Sequence, residues 1–153
     1  MTMITRVLAG GLVAGFLDIS YAIIVYGFKG VPPVRIFQSV AGGLYGRATY
    51  DGGIRTALQG GLLHFAMALV MAAVFVAAYD RLSFLQKKTP LWGMAYGLGL
   101  FLVMYLVVMP LSAIGMIRIP HGGYFLGALF AHCCLVGLPI ALAARGRRPI
   151  AAL

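Results

Sequence analysis

The sequence has no glutamate and only three acidic residues, Asp18, Asp51 and Asp80, against twelve lysines and arginines. The three aspartates lie far apart in the chain, so no neighbouring pair of carboxylates is available for general acid and base chemistry. No nucleophile elbow or phosphate-binding glycine loop follows a predicted strand either. The sequence therefore carries no recognisable catalytic constellation, and we expect that this protein is not an enzyme.

Cysteine is equally scarce. The two cysteines, Cys133 and Cys134, are adjacent in the chain. An adjacent pair provides neither a disulfide framework nor the spaced ligands of a zinc site. Because both residues fall within a long apolar segment, we expect them to be small packing residues.

Charged residues are few, and hydrophobic residues are abundant. Charged residues make up 10% of the chain and hydrophobic residues 62%, with a mean hydropathy of +0.98. Soluble proteins contain about a quarter charged residues. This composition predicts an integral membrane protein, whose helices must satisfy their own backbone hydrogen bonds in the absence of water.

Four segments are long and apolar enough to cross a hydrocarbon core, which requires about 20 residues. They cover residues 7–27, 57–78, 91–110 and 123–144. We therefore predict an all-α, polytopic fold in which residues 1–153 form a single four-helix membrane domain.

An even number of spans places both termini on one side of the membrane. Basic residues near the helix ends favour that side by seven to five. The terminal side has Arg6, Arg81, Lys87, Lys88, Arg145, Arg147 and Arg148, and the other side has Lys29, Arg35, Arg47, Arg55 and Arg118. Because basic residues accumulate on the cytoplasmic side, we expect cytoplasmic termini. The basic residues form no separate module, which favours membrane lipids over nucleic acid as partners.

The connection between the first two spans is unusually long and contains a segment of helical amphipathicity. After Pro32 and Pro33, residues 34–44 are predicted to form a short interfacial helix. Its expected apolar face comprises Ile36, Phe37, Val40, Ala41 and Leu44, and its expected polar face comprises Arg35, Gln38, Ser39 and Gly42. Glycines and basic residues in this connection could hold a lipid phosphate, for which the candidates are Arg35, Arg47 and Arg55.

Small residues recur at the spacing that allows close helix contact. The pairs are Gly11 with Gly15, Gly93 with Gly97, and Gly123 with Gly127. We expect these glycines to pack against neighbouring helices, within the chain, in a homo-oligomer or in a larger membrane-protein complex.

Three ionisable residues interrupt the apolar spans at a similar depth. Asp18 lies nine residues before Gly27, while His64 and His132 lie seven and nine residues into the second and fourth spans. At about 1.5 Å of rise per residue they share one level. Since a charged residue at this depth needs a partner, we expect a buried polar cluster of Asp18 with one or both histidines.

This cluster has several chemical interpretations. It could be a hydrogen-bonded clasp between helices, or a relay for protons or a solute. His64 and His132 could instead ligate one haem b iron from opposite sides, and His64, Met67 and Met71 share a helix face that could bind Cu(I). We predict no metal and no cofactor, because no attachment motif supports haem and methionine commonly fills packing gaps.

The chain resembles the YagU-like bacterial inner-membrane proteins. The resemblance is carried by residues 11–15 and 31–35, by Leu91, Trp92, Gly93 and Gly97, by Pro110, Leu111 and Gly115, and by Gly127, His132 and Arg145. It implies a four-helix protein of the bacterial inner membrane and supplies no catalytic residues.

The leading functional hypothesis is a small transport or permeation unit centred on the buried cluster. The alternatives are a non-catalytic accessory or assembly subunit of a larger membrane complex, and a haem-binding electron-transfer bundle.

Overall fold

Helices dominate the computed structural model, which describes residues 1–146. They are α1 (Met3–Gly27), α2 (Pro33–Tyr45), α3 (Gly53–Arg81), α4 (Ser83–Lys87), α5 (Thr89–Leu111) and α6 (Gly123–Ala144), with a 3-10 turn over Gly46–Asp51. Four of them, α1, α3, α5 and α6, are long and apolar enough to cross a membrane. No strand occurs in this part of the chain. The prediction of an all-helical chain with four membrane-length helices is thereby confirmed.

The long helices begin and end close to the predicted spans, and two of them extend further. α1 begins at Met3 because Thr2 caps it, its hydroxyl accepting a hydrogen bond from the backbone N–H of Thr5 at 3.2 Å. α3 runs for 29 residues from Gly53 to Arg81 and includes polar residues at both ends. Hydropathy identifies only the apolar part of such a helix, whereas backbone hydrogen bonding continues into its polar ends.

The four long helices alternate in direction. At the terminal end, where α1 begins and α6 ends, the Arg6 guanidinium donates hydrogen bonds to both carboxylate oxygens of Asp80, at 2.7 and 2.6 Å, and to the Ala144 carbonyl at 3.0 Å. At the opposite end, the rings of Tyr26 and Tyr124 stack with their centroids 6.1 Å apart. Arg147 and Arg148, counted above on the terminal side, lie outside the described residues.

The apolar core occupies the half of the bundle nearest the terminal end. All four long helices contribute to it, through residues such as Ala14, Phe75, Val76, Leu100 and Ile140. Val76 and Ile140 are fully buried. The half nearest the opposite end contains fewer core residues, which leaves space between its helices.

Large apolar side chains cover the outward faces of the bundle. Phe16 on α1, Leu62 on α3 and Leu126 on α6 are each more than half exposed. Exposed apolar side chains on long apolar helices are typical of a protein that lies in a membrane.

α2 packs against α3 mainly with its predicted apolar face, of which Ile36 and Ala41 are buried, but two of its residues depart from the prediction. Gln38, expected on the polar face, is only 2% exposed, whereas Leu44, expected on the apolar face, is 58% exposed. The reason is hydrogen bonding. The Gln38 amide donates to the Gly53 carbonyl at 2.9 Å, and the Thr49 hydroxyl donates to the Gln38 carbonyl at 3.0 Å. These hydrogen bonds provide partners for the polar groups of Gln38, so the residue can be buried at little cost in free energy.

Two of the long helices contain a wider turn. α5 has π-helical geometry over Met104–Val108, and α6 has it over Ala131–Gly137. Each π segment is followed closely by a proline, Pro110 in α5 and Pro139 in α6. Proline cannot donate to the carbonyl four residues earlier and its ring pushes that carbonyl away, so the preceding turn widens. The α6 segment includes His132.

Candidate functional site

Two adjacent cavities lie between the long helices, and Asp18 and His132 line both of them. The inner cavity, of about 60 Å³, is also lined by His64, Met67, Met71 and Met104. The outer cavity, of about 460 Å³, is also lined by Tyr21, Tyr26, Tyr105 and Tyr124 and reaches toward the opposite end of the bundle. The shared lining residues make Asp18 and His132 the junction between the two cavities.

Asp18 lies on α1, one helical turn after Gly15. Its side chain is half-buried. None of residues 1–146 donates a hydrogen bond to its carboxylate, and the ion pair found among these residues joins Arg6 to Asp80 and does not involve Asp18. A carboxylate at this depth in an apolar bundle, without a fixed partner, is a group available to bind a ligand or a proton.

His64 joins α3 to α1. Its imidazole is 9% exposed, and its Nε2–H donates to the Gly15 carbonyl at 2.8 Å. A carbonyl can only accept, so this contact fixes Nε2 as a protonated nitrogen and leaves Nδ1 as the second ring nitrogen. Gly15 allows this approach, because a Cβ at that position would lie 2.9 Å from Cδ1 of Phe65.

His132 is oriented from within its own helix. Its Nδ1–H donates to the Ala128 carbonyl at 2.8 Å, which leaves Nε2 as the second nitrogen. The ring of Phe101 meets the imidazole edge to face at 5.5 Å, and the ring of Tyr105 lies 6.2 Å away. The ring is therefore held by one hydrogen bond and by two aromatic neighbours on α5.

The structure brings Asp18, His64 and His132 to the wall of one cavity. The direct pairing expected between Asp18 and a histidine is absent from residues 1–146, because both imidazoles donate to backbone carbonyls instead. In the same part of the chain, no three histidine, cysteine or acidic side chains are arranged to hold a metal ion. Met67 and Met71 line the same cavity as His64, and the Cu(I) and haem hypotheses stay predictions.

Most of the predicted packing glycines lie against another helix. A Cβ on Gly11 would be 2.9 Å from the Cα of Leu69 on α3, and a Cβ on Gly97 would be 2.6 Å from the Cα of Cys133 on α6. Gly15 contacts Phe65, Gly93 contacts Ala141 and Gly127 contacts the Tyr21 hydroxyl. Gly123 differs, since a Cβ there would meet no described atom within 4 Å.

The three candidate lipid-binding arginines are exposed. Arg35 lies at the start of α2, Arg47 in the 3-10 turn and Arg55 near the start of α3. The Arg35 guanidinium lies 5.0 Å from the ring centroid of Tyr50. All three belong to the segment around α2 at the opposite end of the bundle.

Sequence reasoning does not identify the tyrosines of the outer cavity as a group. Tyr21, Tyr26, Tyr105 and Tyr124 come from three helices, and nothing in their spacing links them. One available pattern is that Tyr21 follows Asp18 by three residues, so both lie on the same side of α1. Sequence reasoning also missed the π-helical turn that contains His132. The available signal for it is Pro139, a proline within an apolar span, since a proline widens the turn before it.

Comparisons with models of known protein families, with curated proteins and with solved structures find no match.

Proposed function

We propose that this protein is a small membrane transport or permeation unit whose pathway runs through the outer and inner cavities, with Asp18 as its proton-exchanging group. The observation that carries the proposal is the position of the Asp18 carboxylate, which has no hydrogen-bond donor among residues 1–146 and lines both cavities. Placing an aspartate at this depth in a membrane costs about 2.5–3.5 kcal/mol. A carboxylate that fastens no helix and still carries this cost supports a role in moving a proton or solute.

The histidines support a pathway rather than a clasp centred on Asp18. His64 already fastens α3 to α1 through the Gly15 carbonyl, so the interhelical hydrogen bond does not involve the carboxylate. His132 has one ring nitrogen engaged by its own helix and lines both cavities with Asp18. A proton that leaves Asp18 therefore has a neighbouring imidazole that can accept it.

The two ends of the bundle differ in a way that suits alternating access. The terminal end is closed by the apolar core and by the contacts of Arg6 with Asp80 and Ala144. The outer cavity extends toward the opposite end, as far as Tyr26 and Tyr124. In this proposal the protein is seen with its site reached from the opposite end, and transport requires the terminal end to open.

The proposal includes the membrane setting. The chain would lie in a bacterial inner membrane with both termini in the cytoplasm, as its basic residues and its resemblance to YagU-like proteins predict. α2 would lie at the membrane interface, with the exposed side chains of Arg35, Arg47 and Arg55 near lipid phosphates.

The test is proton flux in liposomes containing the purified protein. A pH gradient is imposed, and an enclosed pH-sensitive dye reports its decay. We expect Asp18→Asn to reduce the protein-dependent rate by about tenfold or more, because the amide cannot exchange a proton at this position. Asp51→Asn is the matched control, since it removes an exposed carboxylate from the 3-10 turn.

Two results would overturn the proposal. One is an unchanged rate in Asp18→Asn together with a lower melting temperature, which would make Asp18 a structural residue. The other is a wild-type protein without flux that purifies in mild detergent as a stable complex with a larger membrane protein, which would favour the accessory-subunit alternative.

A further inference from the structure

The chemistry of the cavities points to a class of solute. Resting on the proposed transport function, we infer that the outer cavity binds a small organic cation of the ammonium type, held by Asp18 and by the tyrosine rings. The first reason is charge. Among residues 1–146, the one acidic or basic side chain that lines either cavity, the histidines apart, is the Asp18 carboxylate, and no described cation pairs with it. A bound ammonium group would supply the missing counter-charge.

The imidazoles favour the same class. His64 and His132 each use one ring N–H on a backbone carbonyl. In the neutral form, the second nitrogen of each ring is a hydrogen-bond acceptor. Only His132 also lines the outer cavity, so there its second nitrogen adds an acceptor to the Asp18 carboxylate, and a group with positive charge is complementary to both.

The walls of the outer cavity supply the second type of cation contact. Tyr21 and Tyr26 come from α1, Tyr105 from α5 and Tyr124 from α6, and all four line the cavity together with Asp18. The faces of aromatic rings attract cations, and several rings around one site are the typical receptor for a quaternary ammonium group. A carboxylate in a cavity lined by several aromatic rings favours an organic cation over a small hydrated metal ion.

One of these rings already carries a cation in the structure. The Lys29 ammonium lies 3.6 Å from the ring centroid of Tyr124, and Tyr26 stacks against the same ring. Lys29 follows the end of α1, so this contact lies at the mouth of the outer cavity. The aromatic pair at the mouth is thus able to hold an ammonium group, and the lysine occupies a position that an entering cation would pass.

The two cavities differ in the size of the molecule that they can hold. The outer cavity, of about 460 Å³, accommodates a small organic molecule, whereas the inner cavity, of about 60 Å³, has room for only a few waters. The cation would therefore lie in the outer cavity with its charged group toward Asp18. Binding of the cation and protonation of Asp18 would exclude each other, because one carboxylate serves both.

The experiment is a calorimetric titration of the purified full-length protein with choline and with 3,3-dimethyl-1-butanol, the uncharged isostere of choline. We expect choline to bind at least about tenfold more tightly than the isostere, since only the cation gains from the carboxylate and the ring faces. Asp18→Asn and Tyr105→Leu should each weaken choline binding by about tenfold. Asp51→Asn and Tyr45→Leu are the matched controls, because both residues are exposed and lie outside the cavities.

Tyr105→Phe is the conservative variant at the same position. It keeps the aromatic ring and should retain choline binding, which would assign the loss in Tyr105→Leu to the missing ring. Equal affinity for the two compounds, or choline binding that survives Asp18→Asn, would overturn the inference. The results that contradict the proposed transport function differ from those that contradict the cation site. Choline binding that depends on Asp18 without any flux would support the cation site and contradict transport, whereas Asp18-dependent proton flux without choline binding would overturn the cation class alone.

Discussion

The imidazole of His64 on α3 donates its Nε2–H to the backbone carbonyl of Gly15 on α1 over 2.8 Å. Asp18 lies one turn further along α1 and lines the same inner cavity. This hydrogen bond adds to the close packing of Gly11 and Gly15 against α3, and together these contacts set the rotation of α1 against α3. These contacts place the Asp18 carboxylate at the junction of the two cavities without forming a hydrogen bond to it.

Removing the His64 hydrogen bond should weaken the bundle modestly. We expect His64→Leu to lower the free energy of unfolding by about 1 kcal/mol, because interhelical hydrogen bonds in membranes contribute roughly 0.6 to 1.7 kcal/mol. His64→Gln should restore part of this loss, since its amide N–H can reach a carbonyl as Nε2–H does. The measurement is denaturation in mixed micelles, with His121→Leu as the control in an exposed loop. A stability unchanged in His64→Leu would contradict the clasp.

The contact between α5 and α6 predicts a contrast between two glycines of one helix. A Cβ on Gly97 would meet the backbone of His132 and Cys133, whereas a Cβ on Gly99 would meet no described atom within 4 Å. We expect Gly97→Ala to destabilise the protein by about 1–3 kcal/mol, because the helices must move apart. Gly99→Ala should be neutral or stabilising. Thermal unfolding of the two variants measures the difference, and equal melting temperatures would refute the close contact.

The terminal end should depend on the pair formed by Arg6 and Asp80. Arg6 is 13% exposed and Asp80 is 44% exposed, and the guanidinium also reaches the end of α6 at Ala144. We expect Asp80→Asn to lower stability by about 1 kcal/mol, since the pair is only partly shielded from solvent. If transport requires this end to open, the same variant should also increase hydrogen exchange at the starts of α1 and α5. An unchanged exchange pattern would show that the pair does not hold the end closed.

Lys29 should compete with a cationic solute at the mouth of the outer cavity. Its ammonium lies over the Tyr124 ring, so Lys29→Gln frees that face and removes a like charge from the entry route. We expect choline to bind about two- to fivefold more tightly to this variant, a change that fits the strength of an exposed cation–π contact. Lys87→Gln, at the terminal end, is the control. Weaker binding in Lys29→Gln would indicate that the lysine attracts the solute and would contradict competition.

Much of the fold follows from the sequence because a membrane helix is governed by length and hydropathy. Those two properties predict four long apolar helices and their approximate ends, and the structure has them. The equal depth of Asp18, His64 and His132 follows from the same arithmetic, since rise per residue fixes position along a helix axis. Their meeting at one cavity does not follow from depth.

Rotation about each helix axis was decided only by tertiary structure. Periodicity placed Gln38 on the polar face of α2, but its hydrogen bond to the Gly53 carbonyl turns it inward. The spacing of Gly123 and Gly127 marks both for packing, yet only Gly127 meets a neighbour among the described residues.

The sequence by itself therefore determined an apolar, helical chain of four membrane-length segments and the level of the three ionisable residues Asp18, His64 and His132 within them. The tertiary structure decided which of their atoms are engaged. It also decided which tyrosines join Asp18 around the outer cavity. The physical reason is that insertion into an apolar medium depends on each helix separately, whereas helix rotation depends on close contacts between residues far apart in the chain.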